Sequence, residues 1–238
     1  MAREETVVWE RPEPPRRAAP SELSRERIVA AALALADADG LAAVSLRKVA
    51  AELDAGPMRL YRYVATKDEL LDLMIDAVYG EISTRRPPGA DWRAALRALA
   101  TRTRRAALHH EWFADLLGGR THLGPNALAH GEATLSAVYG APGFGDADAA
   151  QEAAGALNAY VVGALRREVA ERRAERATGL DKHAWQRAAG PYLTRALSTG
   201  RYPTLSTVVH DAAHPSPEAI FTAGLDLVLD GVAARHSA

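Results

Sequence analysis

From Ser24 to the end of this 238-residue chain, apolar side chains recur with the period of an α-helix, and few stretches alternate as a half-buried strand requires. That pattern restricts the chain to an all-α fold whose helices are delimited by Gly, Pro and capping residues. Behind Ser24 as N-cap, Ile28, Ala31, Ala32 and Leu35 fall on one face, and Asp39-Gly40 stops the helix. A shorter helix follows Ser45, with Leu46, Val49, Ala50 and Leu53 at the same spacing. Asp54, Ala55 and Gly56 interrupt it, and Pro57 opens a third helix to Val64, about two turns long. Thr66-Lys67-Asp68-Glu69 is a capping box that opens a fourth, with Leu70, Leu73, Met74, Ala77 and Val78 as its stripe.

Further helices are expected at about 91–110, 124–139, 146–177, 181–198 and 216–235, with breaks at Gly118-Gly119, Gly140 to Gly145, Gly179, Gly200 to Pro203 and His214-Pro215. The last carries Ile220, Phe221, Leu225, Val228, Leu229 and Val232, a stripe wide enough to need a partner helix. Leu157, Val161, Leu165 and Val169 supply a matching one. Residues 1–22 read differently. Pro12, Pro14, Pro15 and Pro20 alternate with Arg11, Arg16 and Arg17 in a flexible, extended arm with nothing to build a core.

Composition narrows the function. No cysteine is present, which removes disulfides, thiolate metal sites and thiol nucleophiles and fits a reducing compartment, so the cytoplasm is expected. No apolar run reaches the length of a membrane span, and the acidic, proline-containing N-terminus lacks the pattern of a secretion signal. With 29 basic and 30 acidic residues the net charge is -1, so any nucleic-acid partner must be met by a local patch. Residues 45–67 hold one: Arg47, Lys48, Arg59, Arg62 and Lys67 outnumber Glu52 and Asp54. The patch lies on three short helices with a tight turn between the second and third, the outline of a helix-turn-helix whose third helix enters the DNA major groove.

Ser45-Leu46-Arg47-Lys48-Val49-Ala50, Leu60-Tyr61-Arg62-Tyr63-Val64 and Lys67-Asp68-Glu69-Leu70-Leu71 together resemble the TetR (tetracycline repressor-like) family of transcriptional regulators. Leu123-Gly124-Pro125-Asn126-Ala127-Leu128 and Phe221 to Val232 are similar to the C-terminal domain of its tetracycline-repressor branch. Asp54 and Ala55 depart from the Gly and Val that members often have in the turn. The resemblance implies a helix-turn-helix unit at 23–67 and a ligand-binding, dimerising domain at 68–238. It also implies a small-molecule effector within that second domain.

Side-chain chemistry assigns roles within this frame. Ser45, Lys48, Tyr61 and Lys67 suit phosphates, which position a protein without reading sequence. Arg59 and Arg62 suit base edges, where a guanidinium takes guanine O6 and N7 together for roughly 1–3 kcal/mol of discrimination. Arg47 suits either role, Met58 and Tyr63 a thymine methyl or a sugar. Arg16-Arg17 reads as a minor-groove arm or, more simply, as a solvated tail. His109, Trp112, Phe113, His122, Asn126 and Tyr160 are the candidate effector contacts, each with an ordinary core or surface role as its alternative.

Double-stranded operator DNA, an effector and a second copy of the chain are therefore the expected partners. The helices at 146–177 and 216–235 are expected to form the dimer interface because their apolar stripes are widest, and the fourth helix is the expected hinge. Neither cofactor nor metal is expected: His110-Glu111 begins like a zinc-protease helix, but Ala114 stands where the second His is needed. Two functions follow, a ligand-responsive DNA-binding repressor and, as alternative, a helical small-molecule-binding protein or enzyme without sequence-specific DNA binding.

Overall fold

The computed structural model describes residues 7–14, 23–213 and 215–236, so Arg16 and Arg17 lie outside the described residues. These residues form eleven α-helices and one 3₁₀ turn, with no strand among them. Helix α1, Arg25–Asp39, is capped by the Ser24 hydroxyl, which accepts from the Arg27 N–H at 3.2 Å. It stops at Gly40, whose φ of 79° suits a residue without a Cβ. Ser45 caps α2, Leu46–Glu52, in the same way. Helix α3, Pro57–Leu60, is shorter than its spacing predicts. Its path continues to Val64 through tighter bonds, among them Tyr63 N–H to the Leu60 carbonyl at 2.8 Å.

Thr66 caps α4, Lys67–Glu81, accepting from the Glu69 N–H at 3.1 Å. The Glu69 carboxylate returns to the N–H of Ala65, one residue earlier than a standard capping box. Next come α5, Trp92–His109; α6, Phe113–Leu116; and α7, Pro125–Val138. They are followed by α8, Ala147–Thr178; α9, Lys182–Leu197; α10, Pro203–Asp211; and α11, Pro217–His236. Neither α6, α10 nor the 3₁₀ turn Leu41–Ala43 stands out as apolar periodicity. The 3₁₀ turn and α6 are too short to show a period, and Pro203, which ends a break in the sequence reading, in fact starts α10 from its first position.

Helix α4 joins the two parts of the molecule, packing on both α1 and α7. Helices α5, α7 and α8 surround a common core, and α8 makes its most extensive contact with α11. Burial within the chain bears on two expectations. Leu157, Val161, Leu165 and Val169 of α8, and Phe221, Leu225, Leu229 and Val232 of α11, are buried within the single chain. Those stripes are therefore spent on the internal core, and any face of these helices that meets a second copy is a different one. In the arm, Val8 is buried and Trp9 packs against the core, because Val7-Val8-Trp9 is an apolar triplet preceding the prolines. By contrast, α9 and α10 pack on one another and leave Trp185, Tyr192, Leu205 and Val208 exposed.

Candidate DNA interface and effector cavity

The first three helices divide cleanly into an inward and an outward face. Leu46, Val49, Ala50, Leu60 and Val64 are buried, fixing the frame from below. Arg47, Lys48, Met58, Arg59, Tyr61, Arg62 and Lys67 are exposed above it. The turn between α2 and α3 is held by Asp54 at φ 48°, a left-handed conformation that Asp tolerates better than most residues. Asp54 thus holds the tight turn between the two helices. Ser45 is half-buried, with its oxygen engaged by the Lys48 N–H. Tyr63 is half-buried too, and packs against the core.

Two arginines that local spacing does not reveal brace this unit. The Tyr63 carbonyl accepts from Arg25 Nε at 3.2 Å and from Arg11 at 3.4 Å. Arg11 also binds Glu69 through both guanidinium ends, one at 2.9 Å. That hydrogen bond, reinforced by the Ala65 N–H, holds the Glu69 carboxyl below the usual carboxylate range despite partial burial. Behind the frame, His110 is buried between two carboxylates, with Nδ1 2.8 Å from Asp37 of α1 and Nε2 3.2 Å from Glu81 of α4. The Trp112 indole N–H donates to the same Asp37 at 2.7 Å. This knot ties α1, α4 and the end of α5 together.

Between α4, α5, α7 and α8 lies a small internal space of about 40 Å³, lined by Tyr79, Thr103, His130, Thr134 and Asn158 among aliphatic residues. His130 Nε2 is 3.1 Å from the Thr103 hydroxyl, which in turn donates to the Leu99 carbonyl. The His130 nitrogen is therefore the donor in this pair. Burial pushes the His130 pKa down to about 4 and the Tyr79 pKa up to about 12, so both groups are neutral near pH 7. Their rings stand 5.1 Å apart, and Tyr79 meets Phe113 edge-on at 5.2 Å. A larger cleft of about 890 Å³ opens nearby, between the arm at Trp9 and Arg11, the start of α4, and Arg120 to Gly124. His122 lines it, with Nε2 buried and without a hydrogen-bond partner.

Comparison with known proteins decides the family. Residues 28–74 match "Bacterial regulatory proteins, tetR family", and residues 86–236 match "Tetracyclin repressor-like, C-terminal domain". The chain belongs to the tetR family of bacterial regulators. It is 38% identical to the HTH-type transcriptional repressor DrrR1 of Streptomyces coeruleorubidus, covering 98% of this chain and 85% of that protein. It is 29% identical to the class A tetracycline repressor from transposon 1721 of Escherichia coli, over 91% and 93% of the two chains. Among solved structures, apo ActR from Streptomyces coelicolor superposes with a TM-score of 0.77 at 27% identity, covering 93% of this chain and 99% of that one. ActR in complex with actinorhodin gives 0.75 at 27%, covering 91% and 98%.

In this regulator the six residues expected to meet an effector fall in several places, with His109 and Trp112 together on a cleft of about 420 Å³ between the ends of α1 and α5. Phe113 and His122 converge on Tyr79 beside the internal space. Trp112 is taken up by Asp37, and Asn126 by Asp76 of α4. Tyr160 donates its hydroxyl to the Phe221 carbonyl at 2.7 Å between α8 and α11, and His109 is exposed. Sequence reasoning missed Tyr79, Thr103, His130, Thr134 and Asn158. One signal was present: Thr103 interrupts the apolar stripe Leu96, Leu99, Ala106, where a polar residue is buried only with a partner. Among the described residues no helix is long and apolar enough to cross a membrane.

Proposed function

We propose that this regulator is a homodimeric repressor that binds a palindromic operator through α2 and α3 and is released when an effector enters the domain behind them. The observation that carries the reading is the exposure of Arg47, Lys48, Arg59 and Arg62 on a buried aliphatic frame. Arg59 and Arg62 read bases. Lys48, Lys67, Tyr61 and the Ser45 hydroxyl proton meet phosphates, Arg47 takes either role, and Met58 supplies apolar contact. Tyr63, held half-buried, orients the recognition segment more than it touches DNA. Residues 23–67 form the DNA-binding unit and 68–238 the effector and dimerisation domain, with α4 as the lever between them.

A palindrome needs two recognition helices about 34–36 Å apart, or a multiple of that, and so a second copy. The outward side of α11 with Leu227, and the exposed Trp185, Tyr192, Leu205 and Val208 of α9 and α10, supply uncovered apolar surface for it. The effector enters between α4, α5, α7 and α8, where neutral His130, Thr103, Thr134 and Asn158 offer hydrogen bonds within an aliphatic wall. His122 and Phe113 flank that entry. The present space is far below the 300–1,000 Å³ of usual ligand sites, so effector binding must spread the helices. That spreading is the coupling: an effector favouring the spread state lowers operator affinity by its differential affinity for the two states. The regulator works in the cytoplasm and by binding alone.

Selection of duplexes from a random pool at about 150 mM salt tests the reading. A palindrome enriched by the wild type and lost in an Arg59→Ala, Arg62→Ala variant is expected. Weak binding without sequence preference, unchanged in the variant, would overturn it.

A further inference from the structure

Most helices of this chain that begin on a polar N-cap satisfy their first free N–H groups from their own sequence. Ser24, Ser45, Thr66, Asp91, Asp146 and Asp181 each accept from the backbone donor three residues ahead. Helix α7 does not. Its N-cap, Gly124, has no side chain, and its cap comes from another helix. Asp76, buried in the middle of α4, turns one carboxylate oxygen to the N–H groups of Asn126 and Ala127, each at 2.9 Å. Its other oxygen accepts from the Asn126 side-chain amide at 2.9 Å, and the same amide reaches the Asp76 carbonyl at 3.2 Å.

Gly124 is a glycine for reasons of space. Its backbone, φ -65° and ψ 154°, is open to any residue. A Cβ there would overlap the Asp76 carboxylate and come within 2.7 Å of the Asp76 Cβ. The absent side chain is what lets α4 close on the start of α7. The two helices are thus joined by a buried charge that accepts three hydrogen bonds, a link far stiffer than aliphatic packing alone.

The position of this link matters. Asp76 lies ten residues after Thr66, about 15 Å along the axis of α4 from the end that follows the recognition segment. On the other side, Asn126 is one turn before His130 and two before Thr134, which line the internal space. We propose that Asp76 is the positioning residue through which the cavity-lining helix α7 and the DNA-reading unit sense each other. The proposal rests on the operator-binding reading given above and goes beyond it by naming the residue that carries the coupling. Helix α4 packs on α1, α1 on α2 and α2 on α3, so the angle of α4 is passed through α1 to the recognition helix. Asp76 makes the place of α7 the place of α4. Because coupling is reciprocal, operator bound at α3 must be felt at the start of α7 even without an effector.

The test uses the full chain and the selected operator duplex. Hydrogen exchange of residues 124–134 is followed with and without the duplex in the wild type, in Asp76→Asn, and in Asp76→Asn/Asn126→Asp. Asp76→Asn keeps the acceptor for the two backbone donors but sets two amide NH₂ groups against each other. The double variant restores that bond with its direction reversed, and leaves the carboxylate at the start of α7 where a helix favours it. Operator is expected to slow exchange at α7 at least threefold in the wild type, to leave it unchanged in Asp76→Asn, and to slow it again in the double variant. Retention of the operator over a scrambled duplex, read by fluorescence anisotropy, is expected in all three. An α7 that ignores the duplex in the wild type, or that answers it equally in Asp76→Asn, would reduce Asp76 to a cap and overturn the proposal. If no duplex is retained by the wild type, the operator reading fails first and visibly, and the proposal falls with it.

Discussion

The DNA-reading unit and the effector domain carry their chemistry on opposite sides of their helices. In the first, Arg47, Lys48, Arg59 and Arg62 stand outward on a core of small aliphatic residues, so the site adds nothing to the packing beneath it. In the second, Tyr79, Thr103 and His130 point inward and are part of the core they would open to a ligand. The lesson is that an outward site is free to change specificity at no cost in stability, whereas an inward one trades stability for every change in what it binds.

Four experiments would break or sharpen that contrast. The largest effect is expected from Arg59→Ala, Arg62→Ala, which should cost about 2–6 kcal/mol of operator over scrambled duplex, from two bidentate base contacts. Its unfolding free energy should stay within about 0.5 kcal/mol of wild type. A larger loss of stability in urea titration would show that the outward face is structural after all. Phe113→Ala, inside the second region, should destabilise by about 3–5 kcal/mol through the cavity it leaves beside Tyr79. Unchanged stability there would mean that the inward site is not part of the core.

His130 supplies a pH test. Its folded pKa, about 4, lies below the ordinary 6.5, so the folded state binds its proton less readily than the unfolded one. The stability conferred by a neutral His130 is complete above about pH 6.5 and is lost as pH falls towards 4, by up to roughly 3 kcal/mol. Denaturant midpoints of wild type and His130→Leu, compared from pH 7 to 4, should diverge by that slope; parallel curves would refute the burial of this imidazole. The smallest effect belongs to Asp54→Gly. Relief of a left-handed Asp and the greater freedom of Gly in the unfolded chain nearly cancel, giving a change within about 1 kcal/mol and unaltered operator choice. A shift in the selected palindrome would show instead that Asp54 shapes the recognition helix directly.

The same contrast explains what could be read in the sequence. Arg59 and Arg62 are assigned from their offset to Leu60 and Val64 within two turns, and the capped helices from residues a few positions apart. Such relations survive in one dimension. The pairing of His130 with Thr103, or of Tyr79 with Phe113 and His122, joins distant segments and has no local signature. Trp112, Asn126 and Tyr160 show the converse relation. Each has the chemistry of a ligand contact, and each is consumed by a partner from a distant segment: Asp37, Asp76 and the Phe221 carbonyl. A stripe likewise reports only that a helix face is covered, not whether by its own chain or by another copy, so the wide stripes of α8 and α11 do not by themselves mark a dimer surface.

The close approach of α4 on Gly124 also sets an order on substitution through descent. Replacing Asp76 by any residue other than glycine or glutamate removes the carboxylate but leaves a Cβ 2.7 Å from where one at 124 would lie. The glycine is thus bound to the helix crossing and not to the acid. Lineages are expected to lose Asp76 while keeping Gly124, and not the reverse, so that the glycine outlasts the interaction it now serves.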